Sequence, residues 1–197
     1  LKKQLMIQIL ELIKLLGLGI ASAILFITIA MSDITKTKDF MKIVDEVKLE
    51  YPEGSLERKI PTSFIATVAA VETGNFNFKG ADTANKANNF FGIHATGDQE
   101  FLPTSGGAKL RRFEDNKGSI RAFINLVKSD ERYGDAIKAI DKGPNEMFKG
   151  MSTYAENPNY VNLLSNVYRD RIEPIFQTEN FLLPKRKPIT EQMDSLQ

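Results

Sequence analysis

The chain has 197 residues, enough for one domain with extensions, and its 42% hydrophobic and 26% charged content is ordinary for a globular protein. A formal net charge of +1 gives no bulk electrostatic reason for a nucleic-acid partner. With no cysteine and a single histidine, His94, the chain has no thiol nucleophile, disulfide, or metal site built on cysteines or several histidines. No metal or cofactor is therefore expected, and the chemistry falls to carboxylates, hydroxyls, amides and aromatic faces.

Leu15–Ser32 reads LLGLGIASAILFITIAMS, eighteen residues without a charge. That suffices for a short membrane span or the core of a secretory signal. Lys2, Lys3 and Lys14 precede it and favour a cytoplasmic N-terminus. Ala30 and Ser32 are small residues at the spacing a signal peptidase accepts. Residues 1–32 are thus expected to form an N-terminal hydrophobic helix, a signal-anchor or a cleaved signal peptide; the competing reading is a buried core helix. Membrane contact through this helix would place the rest of the chain in the cell envelope, anchored and facing the periplasm or exterior, or secreted. Residues 33–176 are expected to form the working domain and 177–197 a polar tail.

Phe40, Val44 and Val47 repeat at helical spacing, and Tyr51-Pro52-Glu53-Gly54 ends that helix. Pro61 opens the next, FIATVAAVETGNF lies along it, and Gly74 is placed to stop it. Ile65, Val68 and Glu72 share one face, so Glu72 sits in the last turn on the stripe expected to face inward. It is the one charged residue between Lys59 and Lys79. Further on, Phe90, Phe91 and Ile93 form an apolar run, Thr96-Gly97-Asp98 and Ser105-Gly106-Gly107 are turn signals, and Leu110, Arg112 and Phe113 supply a returning strand. This reads as a small hairpin lobe. Helices then resume over KGSIRAFINLVK, Asp135–Ile140 and Pro144–Phe148. A last one opens at Asn157-Pro158, with Tyr160, Leu163, Leu164, Val167 and Ile175 on its buried side. The fold class expected is α+β, mostly helical, with helices and hairpin as two walls of a groove.

Four stretches in order, IPTSFIATVAAVETGNF, NNFFGI, FEDNKGSIRAFINLVKSDERY and YAENPNYVNLL, resemble the signatures of the bacterial β-N-acetylglucosaminidases of glycoside hydrolase family 73, closest to the Bax-type and flagellar-type peptidoglycan hydrolases. The family's pieces look like A-x-E-[ST]-G, N-N-L-F-G-[IV], F-x-x-x-x-x-[SA]-x-x-x-[FY] and Y-A-x-D-P-x-Y, and the likeness spans roughly Pro61 to Arg171. The resemblance implies a lysozyme-like fold, peptidoglycan glycan strands as the partner, Glu72 as catalytic acid, and Tyr154 facing the cleft near the scissile sugar. This chain has Glu156-Asn157-Pro158 where members often have Thr-Asp-Pro, and Phe90-Phe91 where Leu-Phe is common.

Cleaving a glycosidic bond needs a proton delivered to the leaving oxygen, and a free glutamate, with a pKa near ~4.3, is ionised at neutral pH. Desolvation on an apolar face with no basic neighbour keeps that proton in place. The bland alternative for Glu72 is an exposed helix-end carboxylate. For the second group Glu100, and behind it Asp98, are the carboxylates of the hairpin lobe; each also reads as a solvated loop charge. Substrate assistance by the sugar's own acetamido group is the other route, with Tyr154 and Asn89 to position it. Asn88 and Asn89 read equally as turn caps or sugar contacts. Phe91 and Gly92 join Asn88 and Asn89 as the candidate substrate-binding residues, against the alternative that both shape the strand entry, and Gly92 gives a sugar room to approach the backbone. The rival functions are a lytic transglycosylase or muramidase on the same fold, or a non-catalytic wall-binding or phage-virion module.

Overall fold

The computed structural model describes residues 34–78 and 81–182, with side chains described through residue 177. The chain divides into two compact units, Leu1–Lys36 and Thr37–Gln197. The expected hydrophobic helix over 1–32 lies outside the described residues, as does Pro184–Gln197. No helix among the described residues is long and apolar enough to cross a membrane.

The second unit is built around α3, Thr62–Thr73. Every residue from Thr62 to Ala70 is buried, so the expected single inward stripe is too narrow: this helix is covered on all sides. α1 (residues 34–48) contributes Phe40, Met41, Val44 and Val47 to the core, and the four-residue α2, Leu56–Lys59, leads into Pro61. At the start of α3 the Thr62 hydroxyl donates to Asp45 of α1 and accepts from Lys48 at 3.2 Å. Phe64 stacks on Phe123 and Phe148, tying α3 to α5, Asn116–Ser129, and to α7, Pro144–Lys149. α5 begins where Asp115 accepts from the Gly118 N–H at 2.7 Å, a side-chain cap on an otherwise unpaired donor. α6, Gly134–Lys138, lies so close to the end of α7 that a Cβ on Gly150 would fall 2.2 Å from the Ala136 nitrogen. Only glycine fits there.

α4, Asp82–Lys86, precedes the hairpin lobe. Its strands are β1, Phe101–Pro103, and β2, Lys109–Arg111, antiparallel with Leu102 opposite Leu110. The apolar run Phe90–Ile93 is not the hairpin's first strand. Phe90 and Phe91 are buried, Phe90 against Phe40 and Phe78, Phe91 against Phe123. The chain past them lines the other edge of β2: Arg111 donates to the Ile93 carbonyl, Ala95 to that of Lys109, and His94 bridges to Leu110.

The last expected helix starts later than its cap signal. Asn157 accepts from the Asn159 N–H at 2.9 Å and closes a turn, and α8 is Tyr160–Val167. Tyr160, Leu164 and Ile175 are buried as expected, whereas Leu163 is 40% exposed. A π-helical segment, Tyr168–Ile172, joins α8 to α9, Glu173–Leu182, which runs past the expected domain boundary at 176. The described fold is mostly helical with one small antiparallel sheet.

Candidate active site

Glu72 lies one residue before the end of α3, half-buried, and the way the helix ends holds it there. Thr73 donates its hydroxyl to the Ala69 carbonyl at 2.7 Å and accepts from the Phe76 N–H at 2.9 Å. Gly74 is left-handed at φ 60°, and Asn75 and Phe76 follow with φ of 62° and 61°. Two successive non-glycine residues in that region are strained, at about 1 kcal/mol or more each. The Asn75 N–H reaches the Ala70 carbonyl at 2.7 Å, and Phe76 packs on Phe40. This turn swings the chain away and leaves the Glu72 carboxylate clear of its own backbone.

Around that carboxylate the structure gathers one hydroxyl, one glycine and aromatic rings. Tyr160 donates its hydroxyl to Glu72 Oε1 at 2.6 Å. A Cβ on Gly92, where φ is 63°, would lie 3.4 Å from Oε2. Tyr160 stacks on Tyr154 at 5.8 Å between centroids, and Tyr154 donates to the Phe91 carbonyl at 2.5 Å. Among the described residues no lysine or arginine pairs with Glu72. Burial is the main influence and lifts the Glu72 pKa above the ordinary glutamate range, while the Tyr160 hydrogen bond pulls the other way. Burial, first, and the charge of Glu72 together push both tyrosines up, so each keeps its proton. A carboxyl so placed holds its proton to higher pH than an ordinary glutamate and has the chemistry to give it to a bound oxygen.

The other residues marked by the sequence fall in different places. Asn89 is fully buried and its amide is used within the fold: Nδ2 donates to the Ile93 and Arg111 carbonyls at 2.8 and 2.9 Å, and Oδ1 accepts from the N–H groups of Ile93 and Phe91. Asn88, left-handed at φ 51°, donates to the carbonyls of Phe113 and Glu114. Phe91 is a core ring stacked on Phe123 at 4.2 Å. The Phe91-Gly92 segment thus runs past Glu72, pinned by Asn89 from one side and Tyr154 from the other. Asp98 and Glu100 are exposed on the hairpin lobe, and the Glu100 carboxylate makes no hydrogen bond or ion pair among the described residues. His94 is exposed too. No group of acidic or histidine residues among those described is arranged to hold a metal.

Tyr160 is the neighbour that sequence spacing does not single out. Helical periodicity assigns it to the buried side of α8, which is correct at 3% exposure, but says nothing of where the hydroxyl points. Its signal was the second tyrosine of the Y-A-x-D-P-x-Y pattern.

Comparison with known structures gives the same architecture. The glycoside hydrolase domain of FlgJ from Salmonella typhimurium superposes with a TM-score of 0.54 at 18% identity, covering 81% of this chain and 98% of that one. A peptidoglycan hydrolase from Sphingomonas sp. A1 gives 0.53 at 16% identity, over 75% of this chain and 98% of that one. The catalytic domain of the autolysin Auto from Listeria monocytogenes gives 0.50 at 12% identity, over 74% and 86%. No curated protein matches by sequence. Residues 50–171 match the glucosaminidase family, described as mannosyl-glycoprotein endo-beta-N-acetylglucosaminidase. That match takes in α3 with Glu72, the hairpin lobe and α8 with Tyr160, and on it the chain belongs to the glucosaminidase family and is a glycoside hydrolase.

Proposed function

We propose that the protein is an endo-β-N-acetylglucosaminidase that hydrolyses β-1,4 bonds in the glycan strands of peptidoglycan, with Glu72 as general acid. The observation that carries the reading is a half-buried carboxylate with no cationic partner among the described residues, its pKa raised by burial, in the last turn of a buried helix. In the reaction Glu72 gives its proton to the leaving oxygen as the bond to the anomeric carbon breaks. Water completes the hydrolysis at that carbon. The substrate class is supported by the family match and by the peptidoglycan hydrolase of Sphingomonas sp. A1 among the structural neighbours.

Glu72→Gln keeps the shape and removes the proton donor. Clearing of purified sacculi is expected to fall by about three orders of magnitude, in line with the ~10²–10⁴-fold worth of general-acid catalysis, while binding to the sacculi is retained. Equal clearing by both proteins would overturn the assignment. Glu100→Gln and Asp98→Asn, assayed alongside, test the hairpin carboxylates as the second group: full activity of both would leave that role to the acetamido group of the substrate. Mass spectrometry of the new sugar ends distinguishes the reading from its rivals, since a transglycosylase or muramidase cuts after N-acetylmuramic acid.

The uncharged run Leu15–Ser32 supports the further proposal that the chain works beyond the cytoplasmic membrane, where this polymer lies. Fractionation of cells expressing the full chain is expected to find it in the membrane or the exported fraction. Recovery in the cytoplasm would dismiss the idea.

A further inference from the structure

The two oxygens of the Glu72 carboxyl are not equivalent. The geometry points to Tyr160 as the positioning residue that reserves one of them: its hydroxyl occupies Oε1, so the transferable proton rides on Oε2, the oxygen facing the bare Cα of Gly92. This rests on the reading of Glu72 as general acid and says which of its atoms acts and what holds it.

Three observations carry the assignment. The Tyr160 side chain is buried, and its hydroxyl makes its hydrogen bond at 2.6 Å to Oε1, with no other partner among the described residues. A buried hydroxyl hydrogen without an acceptor is costly, so it stays on Oε1 whether Glu72 is charged or neutral. A proton on Oε1 would compete for the same line; on Oε2 it meets no such conflict. The direction of the hydroxyl is fixed in turn. The Tyr160 ring stacks on Tyr154 at an interplanar angle of 17°, and Tyr154 is fastened to the Phe91 carbonyl at 2.5 Å. Finally, Oε2 is open on the side where residue 92 has no side chain. A methyl there would rest against it at 3.4 Å and fill the space by which a glycosidic oxygen approaches.

Tyr160→Phe removes the hydroxyl and keeps the ring. Tyr160 is only 3% exposed, so KM on soluble glycan strands is expected to stay unchanged while kcat falls about ten- to a hundredfold, the effect of a loosened acid. The hydrogen bond favours the ionised carboxylate. Without it burial acts alone, Glu72 keeps its proton to higher pH, and the alkaline limb of the kcat profile moves upward. A fall in kcat that is uniform across pH, or a limb that moves down, would overturn the assignment.

Infrared difference spectra of the wild-type protein supply an arm that needs no folded Tyr160 variant. The carbonyl band of neutral Glu72, identified as the one absent from Glu72→Gln, is expected at the low frequency of an oxygen accepting a hydrogen bond. A band at the frequency of a free carbonyl would overturn the proposal. The parent reading fails separately: an active Glu72→Gln removes it, whereas an inactive Glu72→Gln with an unshifted Tyr160→Phe profile removes only the role given to Tyr160.

Discussion

Asn89 has no exposure at all, and both ends of its amide are used within the protein. It stands where a strand residue would stand, filling the inner edge of β2 through the Arg111 carbonyl while also holding the Ile93 N–H. Its product is the path of Phe91 and Gly92 past the Glu72 carboxylate. An unmet buried donor or acceptor costs ~1–3 kcal/mol, so Asn89→Ala, which strands at least those two groups, is expected to lose about 2–4 kcal/mol. In a domain of this size that is a fall in Tm of about 4–16 °C. A change under about 2 °C in a thermal melt would mean that water or a shifted backbone replaces the amide. Tyr160 differs in kind: its hydroxyl meets the Glu72 carboxylate, the proposed acid, so its removal is expected to be read in kinetics before stability.

At the scale of elements, what the sequence makes legible is what short-range signals control. Pro61 and Gly74 bracket α3 because each acts on its own backbone: Pro61, extended at ψ 133°, stands at the N-cap and its carbonyl takes the first helical hydrogen bonds, and glycine takes the left-handed conformation that ends the helix. The amphipathic pattern of α5 is equally plain, since one of its faces meets the core and the other meets water. α3 carries no such contrast, being buried all round, and there periodicity suggests a stripe where none exists. The hairpin lobe shows the other limit. Phe90-Phe91 looks like a strand because it is apolar, but two adjacent phenylalanines point to opposite faces of a strand, and here both rings are buried, one against Phe40 and the other against Phe123. Asn157 has the side chain of a helix cap but uses it to accept from the Asn159 N–H two residues on, closing a turn, so α8 begins at Tyr160. The geometry of the candidate site is least legible of all. The isolation of Glu72 is visible in one dimension, whereas the approach of Tyr160 spans 88 positions along the chain and depends on how α3 and α8 pack.

For the whole molecule, a carboxyl kept dry is a liability to folding, and the liability depends on pH. Below the ordinary glutamate value of ~4.3 Glu72 is protonated in both the folded and the unfolded chain and imposes no penalty. As pH rises past that value the unfolded chain releases its proton first, while burial delays the folded one. The folded state then binds more protons than the unfolded, so stability falls with rising pH until Glu72 has ionised in the folded protein as well. Elsewhere the sign is reversed: hydrogen bonds from Arg121 and Lys128 hold the Glu50 and Glu57 carboxylates below their usual range. Those exposed pairs are present in any variant of the site and cancel when variant and wild type are compared, and each is worth little in any case. Glu72→Gln removes the one titration of interest, at a constant loss for the altered bond to Tyr160. The Tm of Glu72→Gln minus that of the wild type is therefore expected to grow from pH 4 to pH 8, each ~1 kcal/mol of gain reading as about 2–4 °C. Melts that keep the same difference at both pH values would show that Glu72 is as well solvated folded as unfolded, and the dry carboxyl on which the proposed acid chemistry depends would be gone with it.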